Sequence, residues 1–114
     1  MASARWMACL RFNAVAIGNR AGQTTQGVNS VAIGKSAGKT DQGENTVAIG
    51  LQSGLDSQGA NSVAVGLRCG ETRQGNYSVA MGWQAGFEDQ DVQAVAMCAG
   101  HFSKTVCFEF LALW

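Results

Sequence analysis

The sequence predicts an all-β fold: a parallel β-solenoid, or β-roll, of five to six stacked 16-residue coils. Two observations carry this. The tetrapeptide Val-Ala-Ile-Gly begins at Val15, Val31 and Val47, then returns with one apolar exchange at Val63 and at Val79, always at the same step and without insertion. Glycine follows the same clock, since 14 of the 15 glycines fall in three columns. These are Gly18, Gly34, Gly50, Gly66 and Gly82; Gly22, Gly38, Gly54, Gly70 and Gly86; and Gly27, Gly43, Gly59 and Gly75. Self-similarity at a short fixed period marks stacked repeats, each too small to bury a core alone.

Within a unit, Ser-Val-Ala-Ile is too short for a helix and rich in β-branched residues, so it predicts a strand. The glycine columns predict three bends per coil, because glycine tolerates positive φ. The polar stretch Gln23–Gln26 and its equivalents predict a second short strand. A pair of helices is excluded, because each of the first four repeat units carries three glycines and a unit is too short for two helices and their turns. Stacking at the ordinary strand spacing of about 4.8 Å would place like residues over like. By period two, Val15, Val31, Val47, Val63, Val79 and Val95 share a strand face with Ile17, Ile33, Ile49, Val65, Met81 and Met97.

We expect that face to fill the coil interior. Ile33→Asp should then unfold several turns by burying an unpaired charge. The opposite face carries Ala16, Ala32, Ala48, Ala64, Ala80 and Ala96. Two readings stand for it: close approach of another chain's backbone, or a tight coil interior with valine pointing elsewhere. The thin core of so short a coil favours the first and several chains packed together. The column Asn13, Asn29, Asn45, Asn61 reads equally as an amide ladder or as left-handed turn residues. The glutamines from Gln26 to Gln90 read as a second amide ladder.

Three segments follow: residues 1–12 as an N-terminal cap or leader, 13–100 as six repeat units with the last degenerate, and 101–114 as an apolar cap or truncated segment. Six of the nine aromatic residues lie outside the regular repeats. They either plug the coil ends or begin another domain.

Leu51, Leu67 and Trp83 in one variable column, and Leu55 and Phe87 in another, predict an apolar contact stripe on the later coils. It would meet either a neighbouring chain or an external ligand.

Charge is balanced at eight bases and eight acids, which gives no overall basic field for nucleic acid. It is not balanced along the axis. Residues 1–40 hold five bases and no acid, and residues 41–114 hold three bases and all eight acids. At 46% apolar residues the chain is not a disordered polyelectrolyte, and no apolar run reaches the length of a membrane span. Cys9, Cys69, Cys98 and Cys107 lack paired metal-ligand spacing, and Cys69 and Cys98 stand in small-residue columns. His101 is the single histidine and has no partner placed for a triad. The repeat has no interruption that would build a cleft. We expect no catalytic residue, metal or cofactor.

Asn29-Ser30-Val31-Ala32-Ile33-Gly34 and its copies resemble the head repeats of trimeric autotransporter adhesins, the YadA-like heads, over roughly residues 13–100. Similar repeats occur in fibre-like proteins of phages and large viruses. The resemblance implies a left-handed parallel β-roll, three chains side by side and display on a bacterial surface as an adhesive head. The 16-residue period and the added Gln-Gly signature depart from the shorter period of the best-known heads. No convincing secretion signal, heptad stalk or anchor barrel is found, so a fragment, fibre module or viral homologue is expected rather than a complete adhesin.

The expected function is attachment, as a homotrimer, to a host cell or matrix protein, on a bacterial cell surface or virion. The alternative is a structural fibre segment that binds only its own copies. A remote alternative is an ice-binding solenoid, but the column of Thr24, Thr40 and Thr72 is interrupted by Asp56 and Glu88.

Overall fold

The computed structural model describes residues 12–98 and 108–111. Those residues form eleven strands: β1 (Val15–Ile17), β2 (Val31–Ile33), β3 (Thr40–Gln42), β4 (Val47–Ile49), β5 (Asp56–Gln58), β6 (Val63–Leu67), β7 (Thr72–Gln74), β8 (Val79–Trp83), β9 (Glu88–Gln90), β10 (Ala94–Cys98) and β11 (Phe108–Leu111). One sheet has seven strands in the order β1-β2-β4-β6-β8-β10-β11, the other four in the order β3-β5-β7-β9. From β2 to β10 the chain alternates between the two, while the first coil adds to the second side only the bridge of Thr24 to Thr40; the stack makes about five turns. This is the parallel solenoid that the period predicts.

Register follows the repeat step throughout. Val15, Val31, Val47, Val63, Val79 and Val95 stand one over the next, as do Thr40, Asp56, Thr72 and Glu88. Each coil is tied in both directions. The N–H of Val31 donates to Thr46 O in the next coil (2.9 Å), and that of Gly34 donates to Ile17 O in the previous one (2.7 Å). Only the end is different: β11 pairs antiparallel with β10.

The interior is not the one expected from hydrophobicity. Ala32, Ala48, Ala64 and Ala80 are wholly inaccessible, as are Ala21, Ala37, Ser53, Cys69 and Ala85 in the column five residues on. Gln26, Gln42, Gln58, Gln74 and Gln90 are buried with them. The columns headed by Val15 and Ile17 lie on the outer face instead: Ile17 is 57% exposed and Met81 42%, and Val31, Ile33, Val47, Val63, Val65 and Val79 are half-buried. Val15 and Ile49 are exposed as well. The reason is cross-section. A loop closed in so few residues, with two sheets back to back, leaves room for methyl groups and one flat amide, and close packing excludes two branched side chains per strand. The tight-interior reading of the alanine column is therefore the correct one, and the interior assignment of the valine and isoleucine rows is overturned.

The expected consequence of Ile33→Asp changes with it. A charge on this outer face meets water in the single chain, so the variant should keep its strand content by circular dichroism. A collapsed spectrum would return Ile33 to the interior.

The glutamines do not form a ladder along the axis either. Each reaches across its own coil: Nε2 of Gln26, Gln42, Gln58, Gln74 and Gln90 donates to the carbonyl of Val15, Val31, Val47, Val63 and Val79 respectively, at 2.7 to 2.9 Å. The amide thus braces one sheet against the other. A single bond between neighbouring glutamines, Gln42 to Gln58 at 3.3 Å, is present among the described residues. The asparagines satisfy both readings at once. Asn29 and Asn45 have φ of 57° and 56°, and Nδ2 of Asn13, Asn29 and Asn45 donates to Oδ1 of the asparagine one coil on, at 3.1 to 3.2 Å.

Two of the three glycine columns turn the chain as expected, with φ near 125° at Gly18, Gly34, Gly50, Gly66 and Gly82 and near 55° at the Gly22 column. The third does not. Gly27, Gly43, Gly59 and Gly75 lie outside the left-handed region, and their glycine is demanded by the stacking: a Cβ on Gly59 would stand 2.6 Å from the backbone of Gly75. Besides the asparagine column, left-handed corners fall on two further columns without glycine, at Ser36 (φ 60°) and Asp41 (φ 51°) and their equivalents.

Candidate functional site

The outer face of the seven-stranded sheet is the feature a partner would use. It begins as two columns, Val15 to Val95 and Ile17 to Met97. From the third coil it widens. β6 and β8 run on past the bends at Gly66 and Gly82 to Leu67 and Trp83, which stand directly over one another at the border of this face. Leu51 continues that column, and Leu51, Leu67 and Trp83 are 43%, 39% and 47% exposed. In the first two coils the same column holds Asn19 and Lys35. The face is thus apolar across two columns at one end and three at the other.

The expected contact stripe is divided by this geometry. Leu51, Leu67 and Trp83 join the sheet face, while Leu55 and Phe87 lie half-buried at the start of the second sheet, with Glu71 between them in the same column. Glu71 was not singled out by pattern. Arg68 Nε donates to Gln52 Oε1 in the previous coil (3.1 Å) and lies 3.2 Å from Glu71 Oε2. Its one N–H points at Gln52, so the carboxylate gains attraction without a hydrogen bond, and Glu71 Oε2 is buried without a hydrogen-bond partner.

Burial lifts the Glu71 carboxyl above its ordinary range, Arg68 opposes that, and Glu88 adds to it. The folded coil then holds the proton more tightly than the unfolded chain does. Ionisation costs stability, fully so at neutral pH, and the cost disappears in acid below the ordinary carboxylate range. Glu71→Gln should raise the melting temperature at neutral pH and lose that advantage in acid. Melting curves of both proteins across pH check it, and a gain that grew as the pH fell would contradict it.

The hydroxyl column was also missed. Ser30, Thr46, Ser62 and Ser78 are buried and donate to the carbonyls of Gly27, Gly43, Gly59 and Gly75 three residues back. A small hydroxyl recurring just before an apolar strand was the available signal. Cys69 is a buried free thiol whose pKa is raised by burial, with Sγ–H donating to Gly82 O. It fills the column that Ala37 and Ser53 fill elsewhere. Cys9, Cys107 and His101 lie outside the described residues.

A stack of identical coils with a continuous sheet face defines a structural repeat module of the β-solenoid class. The family model described as the YadA head domain repeat matches the chain in two copies, at residues 24–37, so this stretch is similar to that repeat. Neither the curated proteins nor the solved structures provide a match. The YadA head is a structural, adhesin-like domain, and domains of this type generally form trimers. Among the described residues no helix is long and apolar enough to cross a membrane.

Proposed function

We propose that this chain is a non-catalytic head module of a trimeric surface adhesin, in which the outer face of the seven-stranded sheet packs against two further copies and the remaining surface attaches to a host cell or matrix protein. The observation that carries the reading is the unbroken apolar face of valine, isoleucine, leucine, methionine and tryptophan, half-buried or exposed on every coil. Contiguous apolar surface of this kind marks an interface. The core behind it is alanine and glutamine, which buries little apolar area per residue, so covering the outer face adds apolar burial that the interior does not supply. The match to the YadA head repeat supports both the threefold arrangement and surface display.

Repetition suits attachment. Three chains of identical coils present the same side chains many times over, so weak individual contacts add through effective concentration. The segments 1–12 and 101–114 are proposed as the ends of this module, with 13–100 as its body. The experiment is retention of the purified assembly on immobilised extracellular-matrix proteins and on cultured cells. Retention that follows the folded assembly supports the adhesin. Absence of retention on every surface would assign the module to a fibre that binds only its own copies.

A further inference from the structure

We propose that the basic corner of the first two coils binds a linear sulfated polysaccharide. Arg20, Lys35 and Lys39 gather there. Arg20 and Lys35 are exposed, Lys39 is half-buried, and none of the three makes an ion pair among the described residues. The other two bases among the described residues are engaged, Arg68 with Glu71 and Arg73 with Asp89. Ser36 N–H donates to Asn19 O (2.8 Å), which sets Arg20 over Ser36 and Asn19 over Lys35. Coils stack about 4.8 Å apart. Arg20 and Ser36 are both left-handed, at φ 63° and 60°, so the chain turns at this corner.

No acid occurs before Asp41, and that carboxylate does not pair with Lys39. The module therefore approaches an anion with this corner first, although its total charge is zero. An edge bearing three cations without acidic partners matches a linear polyanion lying along it. Base stacking has no platform here, because the aromatic member of the corner column is Trp83, three coils away from Lys35. Membrane insertion has none either, since the corner column carries Asn19 and Lys35 where the later coils carry leucine and tryptophan. Lys35 borders the apolar sheet face, in the column that Leu51 continues, and all three cations belong to one chain, so the site needs no second copy.

The test is chromatography of the whole chain on heparin-agarose at low salt, with sulfopropyl-agarose and vesicles of phosphatidylserine in phosphatidylcholine as parallel probes. The wild-type protein should be retained on heparin and released by salt, later than from sulfopropyl-agarose. The double variant Lys35→Glu with Lys39→Glu should lose retention while keeping its strand spectrum. Flow-through of the wild-type protein, equal retention of the double variant, elution no later than from the simple ion exchanger, or preference for the vesicles would each overturn the proposal. Should the double variant fail to fold, Arg20→Gln, on the exposed surface, must weaken retention in its place.

Discussion

Ala48→Leu is expected to remove most of the module's stability. Ala48 is wholly buried, and its Cβ is the atom that a side chain on Gly54 would meet at 3.3 Å. The neighbouring space is taken by the Gln58 amide, which donates to Val47 O at 2.9 Å. Leucine must displace that brace. Overpacking costs about 1–3 kcal/mol in an ordinary core, and the broken hydrogen bond adds about 1 kcal/mol. A coil without slack should reach the upper end, about 4 kcal/mol against a total of about 5–15 kcal/mol for a small domain. Urea unfolding followed by circular dichroism should show a large fall in the midpoint. An unchanged midpoint would mean that the alanine column does not line the interior.

Gly34→Ala should be comparably damaging, for two reasons that act together. Its φ of 126° lies where a side chain costs about 1–3 kcal/mol. The added Cβ would also stand 2.5 Å from Gly50 O, an overlap that only separation of the two coils relieves. Gly50 N–H holds Ile33 O at 2.7 Å, so separating these two coils breaks the ladder between them as well. A loss of about 3 kcal/mol or more in the same urea experiment is the expected result. Gly54→Ala makes a useful comparison, because its φ of 53° is milder and the obstacle is the tip of Gln58.

The repeat step fixed more of this structure than hydrophobicity did. Coil length, the identity of the strands, the in-register columns and the corners at Gly18 and Gly22 were legible, because identical spacing without insertion admits only stacked coils. Inside and outside were not. Valine and isoleucine look like a core in any ordinary strand, but a small closed loop inverts the rule and turns its smallest column inward. The signal lay in Ala32 and Ala48, whose lack of any polar substitute made sense only for an enclosed position. Gln42 misled for a related reason. A buried glutamine can bond along the axis or across the coil, and only the position of Val31 O decides. The left-handed turns at Ser36 and Asp41 had no signature at all, since Arg20, Gln52, Arg73 and Thr25 hold the same conformation in other coils.

At the candidate site, Leu51, Leu67 and Trp83 were recognised as outward-facing, but their union with the valine and isoleucine rows was hidden by that inversion. Once those rows are moved outward, an apolar face three columns wide emerges that one chain leaves open. Whether copies of the chain cover that face is tested most directly by the molar mass of the purified protein in light scattering, for the native sequence and for Ile33→Asp together with Ile49→Asp. Three times the chain mass for the native protein, and one chain mass with an intact strand spectrum for the double variant, is the predicted pair. A native protein that stays monomeric at high concentration, or a double variant that still assembles, would contradict it.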